Sequence, residues 1–363
     1  ISELNNAIFF GEKKIVLVKK GTYTGTVEVN SNKSILGIEP GVLIKGNIKI
    51  HGKNIIIRNI AVQSNKCTAI NDTTEECSEG TDAISIHRTG SRNIWLDHLD
   101  VSDGQDGNLD ITKGADNITI TWTKFHYTYE KLKASSNLIG GPVDDLDNEG
   151  RLNITYAYCW WADNVIDRMP RGNFGKVHML NNLYTSNRTK SILGPGYKMQ
   201  MLIEHNAFLT MGETIKDVSE DGSASWKTVG NIGTSEEFNT NQGTVFTPPY
   251  TIKKFDASEV EAKVKAGAGN NMILNITAST FKPVRKNTVV QPRIYATKSG
   301  WTLQNPGSSV LSFTGVTLRG QTVLPATTIE AGKGILLPSV ASTLLIKFNG
   351  VNAPSGIYVP YAD

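Results

Sequence analysis

Five related segments recur along the middle of the chain and restrict the folds open to it. They are Asn93-Ile-Trp-Leu, Asn117-Ile-Thr-Ile, Asn153-Ile-Thr-Tyr, Lys176-Val-His-Met-Leu and Gln200-Met-Leu-Ile-Glu. Each opens on a polar residue, continues with alternating apolar ones, and several run into Asn (Asn181, Asn182, Asn206). Their spacing of about 22 to 36 residues falls in the range of solenoids and propellers. A second series, Asp82-Ala-Ile-Ser-Ile86, Asn108-Leu-Asp-Ile-Thr112 and Asn137-Leu-Ile-Gly140, lies between members of the first. Two strands per repeat predict a parallel β-helix, whose coils stack over one continuous core. Asn residues at the turns are then expected to stack as side-chain ladders, Asn181 and Asn182 among them. A propeller would need antiparallel hairpins with two-residue turns, which are scarce here.

The first hundred residues agree with an all-β reading. Ile15-Val-Leu-Val18, Gly25-Thr-Val-Glu-Val29, Ser34-Ile-Leu-Gly-Ile38, Gly41-Val-Leu-Ile44, Asn47-Ile-Lys-Ile50 and Asn54-Ile-Ile-Ile57 follow one another closely, rich in β-branched residues. They leave no room for the helical crossovers of a βαβ architecture. The 363 residues allow two domains. Charged residues at 20% and hydrophobic ones at 39% suit a chain that buries a substantial core. A net charge of +3, without a Lys or Arg tail, argues against a nucleic-acid partner and permits an acidic ligand without demanding one. No apolar run approaches the ~20 residues that span a bilayer, so no membrane insertion is expected. The chain opens at Ile1 with no Met and no charged-then-apolar leader, which reads as a mature form whose export signal has been removed.

Cys67 and Cys77 flank a polar loop, either as a disulfide or as two free thiols. Cys159, in Ala157-Tyr-Cys-Trp-Trp161, reads as a buried apolar residue, since no His or Asp motif accompanies it as a thiol nucleophile requires. Trp95, Asp97 and His98 read as a buried aromatic with a polar pair fixing a turn. Of Trp160 and Trp161 one is expected to face in and one out. His178 is placed in or beside a coil turn.

Chemistry is concentrated between Asp82 and Gly175. In a parallel stack Asp82 and Asp106 or Asp110 fall on neighbouring coils about 4.8 Å apart, close enough to meet at one ion. Gathered carboxylates repel unless a cation neutralises them, and Ca2+ takes 6 to 8 oxygens. Asp also simply caps turns, and Asp100, Asp103 and Asp116 read that way. Arg168-Met-Pro-Arg171 then supplies two guanidinium groups that could face such an ion across an anionic substrate. The arrangement suggests an enzyme acting on an acidic polymer.

Four motifs, taken together and in order, resemble pectate lyases of polysaccharide lyase family 1. They are Asn93-Ile-Trp-Leu-Asp-His98, Asp106-Gly-Asn-Leu-Asp-Ile111, Ile118-Thr-Ile-Thr-Trp122, and Arg168-Met-Pro-Arg171 through Gly175-Lys-Val-His-Met-Leu-Asn-Asn182. The resemblance covers roughly residues 1 to 270. Thr247-Pro-Pro-Tyr250, a short helix expected at Ser258–Lys265 and Ala266-Gly-Ala-Gly269 look like the end of such a catalytic domain. What this implies is a right-handed parallel β-helix that cleaves polygalacturonate by β-elimination with Ca2+ as cofactor. On the family pattern Asp82, Asp106 and Asp110 match metal ligands and Arg168 matches the base. Arg171 is the candidate for the substrate carboxylate. A family lysine expected shortly after His126 falls on Lys131, with Lys133 in reserve as a substrate contact.

Two positions depart from that pattern: a first ligand two residues before Asp82 is Gly80, with Glu79 beside it, and a second arginine five residues past the base is Asn173, which stands with Arg171 and Lys133 as a substrate-binding candidate. Nearby alternatives are a pectin lyase acting on methyl esters, a polygalacturonase working through paired Asp residues, and a non-catalytic carbohydrate-binding β-helix. The Asp set argues against the first; the missing adjacent-Asp motifs, and an Arg168-Met-Pro-Arg171 run with no task there, argue against the second; Gly80 and Asn173 keep the third open. A secreted, monomeric protein, extracellular or periplasmic, is expected from the same resemblance. From residue 271 to 363 alternating strands such as Ser309-Val-Leu-Ser-Phe313 and Leu344-Leu-Ile-Lys-Phe348 suit a small antiparallel β-sandwich-like accessory domain. It could serve carbohydrate binding, secretion or packing.

Overall fold

The computed structural model of the chain describes residues 1–10, 14–66, 81–233, 241, 243–274, 293–297, 300–305, 311–317, 322–337, 344–349 and 357–359. The chain divides into two compact units, Ile1–Asn275 and Ile276–Asp363. Cys67, Cys77, Glu79 and Gly80 lie outside the described residues.

The first unit is a parallel β-helix. One sheet of nine strands starts at Ile15–Val18 and Lys33–Gly37 and continues through Ile55–Arg58, Arg92–Asp97, Asp116–Thr121, Asn153–Ala157, Lys176–Leu180, Gln200–Glu204 and Ser225–Val229. Every pairing in it is parallel. The long strand Val42–Ile50 belongs to both of the other faces. Its first half pairs with Ala61–Gln63, which leads to Asp100–Ser102, Lys124–His126, Trp160–Trp161, Leu183–Tyr184 and Ala207–Phe208. Its second half pairs with Ile84–His87, which leads to Leu109–Thr112, Asn137–Ile139, Arg171–Gly172, Ser191–Pro195 and Glu213–Ile215.

Strand alternation turns every second residue inward, and parallel register stacks like positions coil upon coil. One inward column of the nine-stranded sheet reads Ile35, Ile57, Leu96, Ile120, Tyr156, Met179 and Ile203, all buried. On the second face the column Phe125, Trp161, Tyr184 and Phe208 stacks ring on ring, with centroids 5.3, 4.9 and 4.6 Å apart. On the third face Ile86, Ile111 and Ile139 are followed by Gly172 and Pro195. A Cβ on Gly172 would sit 1.9 Å from the Ile139 carbonyl oxygen, so only glycine lets these coils close. Trp161 is buried and Trp160 is partly exposed, as their adjacency on one strand requires.

The six successive strands from Ile55–Arg58 to Gln200–Glu204 each leave the nine-stranded sheet through one residue in the left-handed region. Asn59, His98, Trp122, Tyr158, Asn181 and His205 hold φ between 48° and 61°. Asn tolerates this conformation, and the others hold it against a steric penalty set by the turn. Their side chains form an outer row, with His98 stacked on Trp122 at 5.8 Å, Trp122 on Tyr158 at 4.7 Å, and Tyr158 on Phe255 at 5.0 Å.

Phe255 belongs to the segment that leaves the last coil and runs back along this edge. It contains the helix Ala257–Gly267, started by a reciprocal Asp256–Glu259 capping box and burying Ala257, Val260 and Val264. Beyond the helix, Gly269 N–H donates to the Trp122 carbonyl, the Asn59 amide donates to the Met272 carbonyl, and Leu274 N–H donates to the Ile38 carbonyl. Trp95 departs from expectation. It is 37% exposed on the outer side of its strand, with Nε1 donating to Thr121 Oγ1 and Arg58 over its ring, whereas Asp97 is buried beneath Arg58 and His98.

The Asn ladder is real but its membership differs. Asn182, Asn206 and Asn231 stack inside the turn: the Asn182 amide donates to Asn206 Oδ1 at 3.0 Å, and Asn206 to Asn231 Oδ1 at 2.9 Å. Asn182 Oδ1 also accepts the Cys159 N–H. Asn181 faces the other way and clamps both backbone groups of Phe255. Cys159 is free and buried, and burial pushes its thiol well above the usual range, as an inert core residue requires.

The second unit consists of antiparallel strands: Arg293–Thr297, Gly300–Gln304 and Gly334–Leu336 in one sheet, and Thr322–Ile329, Leu311–Thr317, Leu344–Asn349 and Ile357–Val359 in another.

Asn182→Ala removes these bonds and strands the Cys159 N–H in the interior. A loss of roughly 2–4 kcal/mol in urea or thermal unfolding is expected; a change under about 0.5 kcal/mol would show that the ladder is incidental.

Candidate functional site

The third face carries the site on its outward side. In-register positions there read Lys49, Ser85, Asp110, Leu138, Arg171 and Gly194, one per coil. Asp82 lies just before the strand Ile84–His87, and its Oδ2 accepts the Ser85 hydroxyl at 3.1 Å. Asp82 is only 6% exposed, yet its Oδ1 has no hydrogen-bond partner among the described residues. Asp110 is likewise buried and accepts the Leu138 N–H at 3.3 Å. Ligand atoms of Asp82, Asp110 and His87 all lie within 4.8 Å of one another.

Electrostatics make this pocket costly without a cation. Burial raises the Asp110 carboxyl well above its ordinary value and the neighbouring Asp82 charge adds to this, as Asp106 does more weakly. The Leu138 N–H and the Arg168 charge pull the other way without prevailing. Gly107 shapes the space: a Cβ there would lie 3.0 Å from Asp110 Oδ1 and 3.4 Å from Asp82 Oδ1. An orphaned buried oxygen, a second buried carboxylate and a glycine that leaves room beside both fit a divalent cation. Asp106 is exposed on the rim, outside the tight donor group though near enough for its charge to reach Asp110.

Arg168 holds φ 56° at the turn before the strand Arg171–Gly172, and its carbonyl accepts the Asn137 N–H at 2.7 Å. Its Nε is buried without an acceptor, and it makes no ion pair among the described residues. Arg171 projects outward with its stem over Gly194, where a Cβ would meet Arg171 Cγ at 2.7 Å. Both arginines line a cavity of about 350 Å³ whose walls include Leu138, Val143, Tyr197 and Val218, with Glu220 and Asp221 on its margin.

Lys131 lies in the protein interior. It is 1% exposed, and its ammonium donates to the carbonyls of Gly104 and Gln105, beneath the loop that carries Asp106. Lys133 is exposed. Asn173 lines the same cavity, but its amide donates to the Gly141 carbonyl and its oxygen accepts the Tyr197 N–H, so both ends tie adjacent coils together. His178 sits within the strand Lys176–Leu180 of the nine-stranded sheet, not at a turn. It donates to Glu204 and accepts from the Tyr250 hydroxyl, while Lys254 pairs with Glu204 at 2.8 Å. Burial lowers its pKa, and it fastens the 243–254 segment over that sheet.

Gly107 lies inside the Asp106–Ile111 motif without a role marked for it there, and His87 belongs to no motif that marks it in the sequence. The signal of His87 is positional: it ends the strand that follows Asp82, in register with Thr112, two residues past Asp110.

A carboxyl raised on folding contributes stability below its unfolded pKa of ~4, and that contribution is lost as pH rises through the folded value. The melting temperature of metal-free protein should therefore fall over that window, and Asp110→Asn should flatten the fall; equal slopes in both proteins would contradict the assignment. Gly107→Ala should weaken divalent-ion affinity roughly tenfold or more by calorimetric titration while the protein still melts cooperatively.

Comparisons with known proteins bear on the family and the fold. A family model described as pectate lyase matches residues 18–273. Pectate lyase A of Aspergillus niger is 30% identical over 280 residues, spanning 74% of this chain and 79% of that protein. A probable pectate lyase A of Aspergillus fumigatus is 31% identical over 256 residues, 68% of this chain and 72% of that one. Among solved structures, a pectate lyase from Bacillus sp. N165 in complex with trigalacturonate matches in fold with a TM-score of 0.57 at 23% identity, covering 70% of this chain and 84% of its own. With the family matched over more than half of its length and relatives at 30% identity or above, this chain belongs to the pectate lyases of polysaccharide lyase family 1.

Proposed function

We propose that the chain is a calcium-dependent pectate lyase that cleaves polygalacturonate by β-elimination and releases 4,5-unsaturated oligogalacturonides. The observation that carries this reading is the buried Asp82 oxygen beside buried Asp110, with Arg168 at the adjoining cavity, the oxygen and the guanidinium both unpaired among the described residues. Asp82 and Asp110 would hold Ca2+, with Asp106 closing in from the rim. When bound, Ca2+ would neutralise these carboxylates and, as a Lewis acid on the substrate carboxylate, acidify the neighbouring C5–H.

Arg168 takes the C5 proton, the C–H electron pair becomes the C4=C5 double bond, and the C4–O glycosidic bond breaks, its oxygen being protonated by solvent. A guanidinium is an awkward base because it loses its proton only above pH ~12 in water. Activity is therefore expected to climb toward alkaline pH. Arg171 at the cavity and Lys133 on the surface supply positive charge to neighbouring substrate carboxylates. Lys131 positions the Asp106 loop through its two carbonyl bonds, and Asn173 holds the coil-to-coil spacing beneath the cavity. The polymeric, acidic substrate supports a secreted, monomeric enzyme working outside the cell or in a periplasm. Among the described residues no helix is long and apolar enough to cross a membrane.

Incubation with polygalacturonate in Ca2+ should raise the ultraviolet absorbance of the unsaturated product, and chelator should abolish the rise. Reducing ends without absorbance would indicate hydrolysis, and neither signal would leave a binding protein. Arg168→Lys should lower the rate by about 10²-fold or more while Ca2+ affinity stays close to wild type; full retained activity would remove Arg168 from its role.

A further inference from the structure

We propose that His87 is a nitrogen ligand at this centre, which therefore binds first-row divalent cations such as Ni2+, Co2+ and Zn2+ as a mixed imidazole–carboxylate site. The inference rests on the reading above only in taking Asp82 and Asp110 as ligands of a divalent ion.

Three observations point to the imidazole. The tight donor group consists of two aspartates and His87, not of three aspartates. Among the described residues, His87 Nε2 is buried and without a hydrogen-bond partner, as is Asp82 Oδ1. It lies 3.6 Å from Asp82 Oδ2, too far for a hydrogen bond but within reach of a shared ion at ~2.1 Å from each.

Strand geometry explains the meeting. Ser85 and His87 are the outward positions of their strand, Asp82 folds over the same side to take the Ser85 hydroxyl, and Asp110 is in register with Ser85 on the next coil. Three donors from two adjacent coils thus converge without any loop rearrangement.

Donor chemistry then decides which ions gain. Ca2+ is hard and gathers many oxygens, whereas imidazole nitrogen favours the later first-row ions. Here the convergent set is small, one donor in three is nitrogen, and the third carboxylate, Asp106, stands outside it. Replacing oxygen by nitrogen in a compact set raises affinity for Ni2+, Co2+ and Zn2+ more than for Ca2+.

The test is calorimetric titration of chelator-treated, tag-free protein with Ni2+ and with Ca2+, alongside visible absorption of the Co2+ form. Wild type should bind one Ni2+ more tightly than Ca2+, and His87→Gln should weaken Ni2+ roughly tenfold or more while moving Ca2+ by less than about threefold. The Co2+ spectrum should change in the same variant, and Asp82→Asn should weaken both ions. An unchanged Ni2+ to Ca2+ affinity ratio in His87→Gln, or an unchanged Co2+ spectrum, would overturn the proposal. Ca2+-supported lyase activity with an unchanged ratio refutes the nitrogen ligand alone. A His87-dependent ratio without any lyase activity refutes the enzymatic reading alone.

Discussion

The structure depends on register between parallel coils. Once Ile94 pairs with Ile118 and Ile118 with Ile154, every other position on those strands is set. A slip of one residue would turn each core column outward, so the buried isoleucines, aromatics and methionines hold register firmly. On the third face, the register that stacks Ile86, Ile111 and Ile139 inward aligns Ser85, Asp110, Leu138 and Arg171 on the opposite side of those strands. Core packing and site assembly are therefore one event. Carboxylates and guanidinium groups far apart in sequence are brought together by pairings whose stability comes from the interior.

The site also shows how a β-helix tolerates crowded charge. Asp82 and Asp110 are withdrawn from water and close to each other, an arrangement that raises the Asp110 carboxyl well above the ordinary range. Their strands are fixed by inward neighbours such as Ile84, Ile86, Leu109 and Ile111, so the carboxylates have little freedom to separate. The repulsion persists until a cation enters, and the fold rather than the metal defines where the donors stand.

Much of this was legible in the sequence, because a solenoid repeats its pattern locally. Alternating segments beginning at Asn93, Asn117 and Asn153 identify strands, and their period identifies coils. The Asp and Arg motifs sit within a few residues of those strands, so their gathering follows from the period. The family resemblance supplied the roles. What stayed hidden depends on contacts that the repeat does not encode. Lys131 disappears under the 104–105 backbone because the loop after His126 folds back. Trp95 faces out because Ile94 and Leu96 occupy the inward positions of its strand. Asn181 and Asn182 look alike in sequence, yet one enters the ladder and the other binds Phe255, since the left-handed turn points them in opposite directions. The helix expected at Ser258–Lys265 forms at Ala257–Gly267, a difference at the ends where capping decides.

The returning segment from Phe255 to Leu274 alters how such a stack comes apart. A column of coils that touch only their neighbours can fray from either end, losing one layer at a time. Here a single stretch of backbone is bonded to Asn181, Trp122, Asn59 and Ile38, which belong to layers spread along the column. No intervening layer can peel away without breaking that stretch from the others, so neighbour-by-neighbour melting gives way to all-or-none cooperativity across the layers it spans.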